Sequence, residues 1–239
     1  GHEVRPHEAV AVLGHNNWAP ELTRSPLMHY VTDVDRMLFA YERLRDGQVL
    51  DWHGFWEGRV SCKRSLLVRH GLHDQRLVYS IDVELAWRLR GTGLRVVYDA
   101  AAVSHMARPI GVDDFGARSE AKGRAHATVA ALHPGTEIAS RLVPAGSADL
   151  WRTKHQAVEP LRRKIAGLET TAAEDDAVLP ELHAAYRELF RLLQAKGIAT
   201  ATDAVYLDFG TPAQRRVAAA HPAAILARHR DEFPQGSML

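Results

Sequence analysis

Short apolar runs and helix-spaced segments alternate up to Pro144, and beyond it only helical periodicity remains. Residues 9–15, AVAVLGH, form an apolar run closed by glycine, the pattern of a buried strand. Residues 94–99 and 101–106, LRVVYD and AAVSHM, are strand-like with β-branched centres. Residues 150–168 and 179–195 are instead long, charged and amphipathic, and Gly197 stands where the second would close. The change of period predicts an α/β body over residues 1–145 and a helical C-terminal extension over 146–239.

Within the body, residues 16–26 carry two prolines and read as a loop. Leu27, Tyr30, Val31, Val34, Leu38, Tyr41 and Leu44 fall at helical spacing and predict one helix ending near Asp46-Gly47. Residues 55–64 read as a strand containing a glycine. Residues 65–71 read as a short helix with Ser65 as N-cap and Gly71 as stop. A helix over residues 82–90 should carry Leu85 and Leu89 on one face and close at Gly91 or Gly93. A longer one runs from about Asp113 to Leu132, stopped by His133-Pro134, and shorter helices are expected after Pro212 and Pro222.

Composition narrows the function classes. At 46% hydrophobic and 25% charged residues, the 239-residue chain can bury a sizeable core. A net charge of +1 argues against a polyanion binder, so no nucleic-acid partner is expected. One cysteine, Cys62, excludes an internal disulfide framework and a cysteine-based zinc site, and suits a reducing, cytoplasmic setting. No apolar run approaches the roughly 20 residues that span a bilayer. Arg162-Arg163-Lys164 is a short basic cluster that suits a solvated face or a peripheral contact with anionic lipid at the inner side of a membrane. The abrupt opening on Gly1 predicts a fragment whose natural start lies upstream.

Asp82 and Glu84 sit at the mouth of the third predicted helix. Locally, Asp82 is well explained as an N-cap, since acidic residues in a first turn are favoured by the helix dipole by about 0.3–1 kcal/mol. His105, ending a strand, reads locally as a packed or solvated histidine.

The ordered series adds a second reading. Phe55-Trp56-Glu57-Gly58, Ser61, Arg64, Gly71, Asp74, Asp82-Val83-Glu84-Leu85, Arg88-Leu89, Gly93-Leu94, Tyr98, Ala102 and His105 follow one another in a fixed order. That series resembles the second half of the GT-A catalytic domain of family-2 glycosyltransferases, over about residues 1–135. The resemblance implies a partial, Rossmann-like GT-A domain without its N-terminal nucleotide-binding half. It implies inverting transfer of a sugar from a nucleotide-sugar donor to a saccharide or other hydroxyl acceptor. Asp82 would be the general base, and Trp56, Gly58 and Glu84 would contact acceptor. Arg118 and Arg124, with Lys122, would meet the diphosphate, and His105 would join the ligands of a divalent Mg or Mn. Two positions depart from the family: Ile81 replaces the acid that commonly precedes the base, and Glu57-Gly58-Arg59 replaces Gly-Gly-Asn.

Asp33-Val34-Asp35 matches the family's Asp-x-Asp metal sequence as text, but it lies in a helical pattern where residues two apart do not share a face. The true motif would lie upstream, so this chain alone is expected to be inactive or nearly so. Among fourteen histidines, His70 and His73 make the only tight pair, without a third close ligand. The alternative class is a non-catalytic GT-A remnant whose helices bind a partner protein.

Overall fold

The computed structural model describes residues 8–56 and 58–204. It is a mixed α/β structure with one four-stranded sheet. β1 (Val10–Trp18), β2 (Val49–Leu50), β3 (Val60–Cys62) and β4 (Arg95–Met106) lie in the order β2-β4-β1-β3. The central pair β1 and β4 is parallel, and both edge strands are antiparallel to their neighbours. A parallel pair needs a long crossover, and residues 19–94 supply it. The apolar half of β1 is buried throughout, which fits a central strand covered on both faces.

The central register breaks once. Val10 to Gly14 pair with Arg95 to Asp99, whereas His15 pairs with Val103, so Ala100 to Ala102 bulge out of the ladder. The two predicted strands at residues 94–106 are therefore one strand with a bulge.

Helix α1 (Pro26–His29) starts with Ser25 accepting from the Met28 amide and runs into a π-helical turn at Tyr30–Val34. The predicted continuation to Asp46 does not form. Arg36 and Phe39 take positive φ values of 53° and 55°, which an L-residue helix does not accommodate, and the chain turns there. Leu38 and Tyr41 are buried all the same; burial, not helical periodicity, spaced those side chains.

Helix α2 (Arg64–His70) is capped by Lys63 rather than Ser65. Helix α3 (Ile81–Leu89) has Ser80 as N-cap, in a left-handed conformation and without a side-chain cap hydrogen bond. Asp82 thus lies inside the first turn, one residue past the start of the helix, and is not the cap. Leu85, Ala86 and Leu89 pack with Leu13, Val96 and Tyr98 of the sheet. Trp87 packs instead with Ala125 and Val129 of α4 (Val112–Leu132) and Ile138 of α5 (Glu137–Leu142).

The predicted helix over residues 150–168 is two helices, α6 (Ser147–Lys154) and α7 (Val158–Thr171). Pro160 explains the division: it lacks an amide donor and its ring excludes a helical carbonyl four residues back, so it fits only a first turn. Helix α8 (Leu179–Ala204) runs straight through Gly197. That glycine is a crossing point rather than a stop. A Cβ on Gly197 would strike the carbonyl oxygen of Glu120 in α4, and one on Gly123 would strike that of Gln194 in α8. Two facing glycines thereby bring α4 and α8 to backbone contact.

The largest core cluster crosses residue 145. It joins Trp18, Tyr30, Val31 and Phe115 to Leu161, Ile165, Leu182, Tyr186, Leu189 and Phe190. Trp18 is fixed within it by its indole N–H donating to Thr32 Oγ1 at 2.9 Å. The region expected as a separate extension therefore shares its core with the α/β body as far as Leu193. The helices expected after Pro212 and Pro222 lie outside the described residues.

Candidate functional site

Two neighbourhoods collect polar side chains on the body. The first surrounds the start of α3. Asp82 is half-buried there, within electrostatic reach of Lys122 on α4. Lys122 is exposed by area, yet enough protein closes round it that desolvation lowers its ammonium, with help from neighbouring Arg118; the Asp82 carboxylate pulls the other way. Asp82, Lys122 and Arg118 thus share one locality. Lys122 and Arg118 are four residues apart on α4, the spacing that puts two side chains on one helix face.

Arg124 belongs elsewhere. Its guanidinium donates to Glu120 Oε1 at 2.6 Å, and Lys196 of α8 reaches the same carboxylate at 2.9 Å. The pairing braces the α4–α8 crossing, and these two cations hold the Glu120 carboxyl below its usual range although burial opposes them. Of the two arginines expected at the diphosphate, Arg118 shares the surroundings of Lys122 with Asp82, whereas Arg124 is taken up by Glu120.

Glu84 is only 2% exposed. Arg88 Nε donates to both its oxygens, at 2.8 and 3.0 Å, and His133 Nε2 lies 3.0 Å from Oε1. Arg88 also donates to the carbonyls of His70 and Leu72. Glu84 is therefore the hub of a network tying α3 to the end of α2 and the end of α4. A buried carboxylate needs such partners, since an unpaired one costs several kcal/mol, on the order of 3–5. The acceptor contact expected of it has no open face here.

The second neighbourhood lies at the bulge in the β1–β4 ladder. Beyond Gly14 the apolar run stops but the strand continues as His15, Asn16 and Asn17. His15 Nδ1 is 2.7 Å from the Tyr98 hydroxyl, and Ser104 Oγ donates to Asn16 Oδ1 at 3.2 Å. Tyr41 stacks on Tyr98 with ring centroids 5.9 Å apart, and its ring lies 4.9 Å from His15 and 5.3 Å from Trp56. Burial pushes the Tyr41 phenol up to about 12, although nearby Arg59 acts in the opposite sense. Burial, assisted by Asp46, also raises Tyr98, so both phenols keep their protons near neutrality.

Trp56 is half-buried in this cluster, with its indole N–H donating to the His53 carbonyl at 2.7 Å. Gly58 is exposed with φ at 85°. His105 is exposed in β4 opposite Asn17. Among the described residues no group of three or more His, Cys, Asp or Glu side chains is arranged to hold a metal ion. The described residues around His105 thus offer no complete donor set for the Mg or Mn implied by the resemblance. Asp33 pairs with Arg24 and His29, while Asp35 faces Arg187 of α8 at 3.5 Å, so the textual Asp-x-Asp is divided between different cations.

Arg162 pairs with Asp113, and Lys164 with Glu181 at 2.7 Å, so two of the three clustered cations bind α7 to its neighbours. None of the described helices is long and apolar enough to cross a membrane.

Sequence reasoning overlooked His15 and Tyr41 as site residues and treated Arg59 as a mere departure from pattern. The usable signal was the abrupt change from apolar to His-Asn-Asn after Gly14, inside a segment still extended. No family model, curated protein or solved structure matches this chain.

Proposed function

We propose that this chain is the acceptor-side part of an inverting, GT-A-like glycosyltransferase with Asp82 as its general base. The observation that carries the reading is the half-buried Asp82 in the first turn of α3, beside Lys122 and Arg118. In this reading the Asp82 carboxylate takes the proton of an acceptor hydroxyl as its oxygen forms a bond to the sugar's anomeric carbon. The bond from that carbon to the donor phosphate breaks, and its electron pair leaves with the nucleoside diphosphate. Lys122 and Arg118 supply fixed positive charge for that leaving group. Trp56 offers an aromatic face to a sugar ring. Glu84 acts at one remove, by holding α3 in place through Arg88 and His133.

The test is sugar transfer from a panel of radiolabelled nucleotide-sugars by the complete protein, against its Asp82→Asn variant. Loss of a positioned base should lower turnover by about 100-fold or more, with melting temperature and donor binding retained. A variant that loses stability but shows no selective loss of rate overturns the assignment.

A second reading, a non-catalytic remnant acting as an interaction module, is favoured by the enclosure of Glu84. It predicts no transfer with any donor in the same panel.

A further inference from the structure

The guanidinium of Arg59 lies beside Gly14 of β1 and reaches the bulge of β4. Its Nη2 donates to the Ala102 carbonyl, inside the bulge, at 2.7 Å, and the Arg59 carbonyl in turn accepts from the Gly14 amide at 2.8 Å. Gly14 makes room for it: a Cβ there would sit 2.6 Å from Ala102 O and 3.0 Å from Arg59 Nη2. The sequence thus keeps a side chain out of position 14, and a cation occupies the space.

That cation is poorly satisfied. Arg59 is half-buried, and its Nε is buried without a hydrogen-bond partner. Among the described residues no carboxylate lies within 4.0 Å of it. A guanidinium has five donors in a planar fork, and one carbonyl uses one of them. Withdrawing such a group from water without a counter-charge is unfavourable, and a buried donor left unpaired demands an explanation. Satisfying the bulge carbonyl alone would need only a neutral donor. The Tyr41 phenol is within electrostatic reach of Arg59, and the Tyr41 ring in turn meets those of His15 and Trp56, both half-buried.

We propose that the surroundings of this bulge form an oxyanion subsite for a charged sugar, with Arg59 receiving the phosphate or carboxylate and half-buried Trp56 facing the ring. The fork of Arg59 suits two oxygens of one anionic group. The neutral phenols of Tyr41 and Tyr98 add no competing charge. Calling the bound sugar an acceptor rests on the transferase reading; the preference for an anion does not. If both hold, the enzyme acts on an acceptor bearing a phosphate or a uronic-acid carboxylate.

The experiment is equilibrium binding to the full chain by titration calorimetry, with four probes: glucose, glucose 6-phosphate, glucuronate and inorganic phosphate. Either anionic sugar should bind about tenfold or more tightly than glucose, the scale of hydrogen bonds to a charged group. Comparing the two sugars separates phosphate from carboxylate as the source of the anion, and inorganic phosphate binding as well as glucose 6-phosphate overturns the role given to Trp56. Arg59→Gln should abolish the preference, whereas Arg69→Gln, at an exposed pair with Glu8, should preserve it. Because Arg59→Gln also removes the bond to Ala102, wild-type amide and indole NMR shifts supply a second measurement. Saturation with the preferred sugar should move the Trp56 indole N–H and the Gly14 amide more than the other four indoles. Equal affinity for charged and neutral sugars, or shifts centred elsewhere, overturns the proposal. Binding is read without turnover, so its failure is distinct from a failure of the transferase reading.

Discussion

The crossing of α4 over α8 and the approach of Arg59 to the β4 bulge both depend on glycine, with opposite results. At the crossing, Gly123 and Gly197 remove side chains so that two backbones can touch, and neighbouring cations are paired off on Glu120. At the bulge, Gly14 removes a side chain so that a cation with no carboxylate partner among the described residues can pass over that position to the Ala102 carbonyl. The first arrangement sets two cations on one carboxylate; in the second, among the described residues, the Arg59 guanidinium meets one carbonyl and its buried Nε has no partner. The contrast separates a place built for stability from one built to receive something.

The crossing is the easier of the two to break. Gly123→Val and Gly197→Val should each destabilise the fold by about 3 kcal/mol or more, because the clash is with backbone rather than a movable side chain. Urea unfolding would show a large fall in midpoint for both. A midpoint within error of wild type would mean that the helices do not meet there.

An intermediate effect should come from His126, a titrating group beside the crossing. It is 6% exposed, with Nδ1 3.1 Å from the Leu142 carbonyl and 3.2 Å from Gln194 Nε2. Burial, reinforced by Lys122, pushes its imidazole down to about 4 from an ordinary 6.5. A folded-state value below the unfolded one means that the unfolded chain takes up the proton first. The contribution is therefore intact above pH 6.5, declines as pH falls from 6.5 towards 4, and changes no further below that. The full swing is about 3 kcal/mol, at about 1.4 kcal/mol per pKa unit. Stability curves measured between pH 4 and 7 for wild type and His126→Gln should differ in slope across this window. Parallel curves would remove His126 as the cause.

These examples show how far the residues could be read in advance. The strand at residues 9–15 and the short helix beginning near Asp82 were legible because their apolar spacing is also their burial pattern, and the helix closing at His133 because His133-Pro134 marks its end. The helix expected to reach Asp46 was not, since Leu38 and Tyr41 are buried from irregular backbone and their spacing only imitates a helix. Gly197 misled for a different reason. A glycine near a helix end serves equally as a stop or a crossing, and only the facing chain, absent from local sequence, decides which. In the candidate site, the motif position singled out Asp82, but the enclosure of Glu84 involves His133, 49 residues away, which no local pattern shows. Arg59 was visible as an odd residue, and its openness emerged only once the bulge brought Ala102 beneath it.

The smallest expected effect sharpens the glycine comparison. Gly167 lies within α7, and a Cβ built on it meets nothing within 4 Å. Its φ is not in the left-handed range, so neither a close neighbour nor an unusual conformation requires glycine. In a helix interior glycine is less favourable than alanine by roughly 0.5–1 kcal/mol, because it retains more freedom when unfolded. Gly167→Ala should therefore raise stability by about that amount, seen as a small upward shift in the urea midpoint with unchanged slope. The same substitution at Gly123 should lower the midpoint. Opposite signs from one chemical change would attribute the difference to the facing α8 backbone; a loss at Gly167 as well would mean that α7 is packed more closely than its open surroundings indicate.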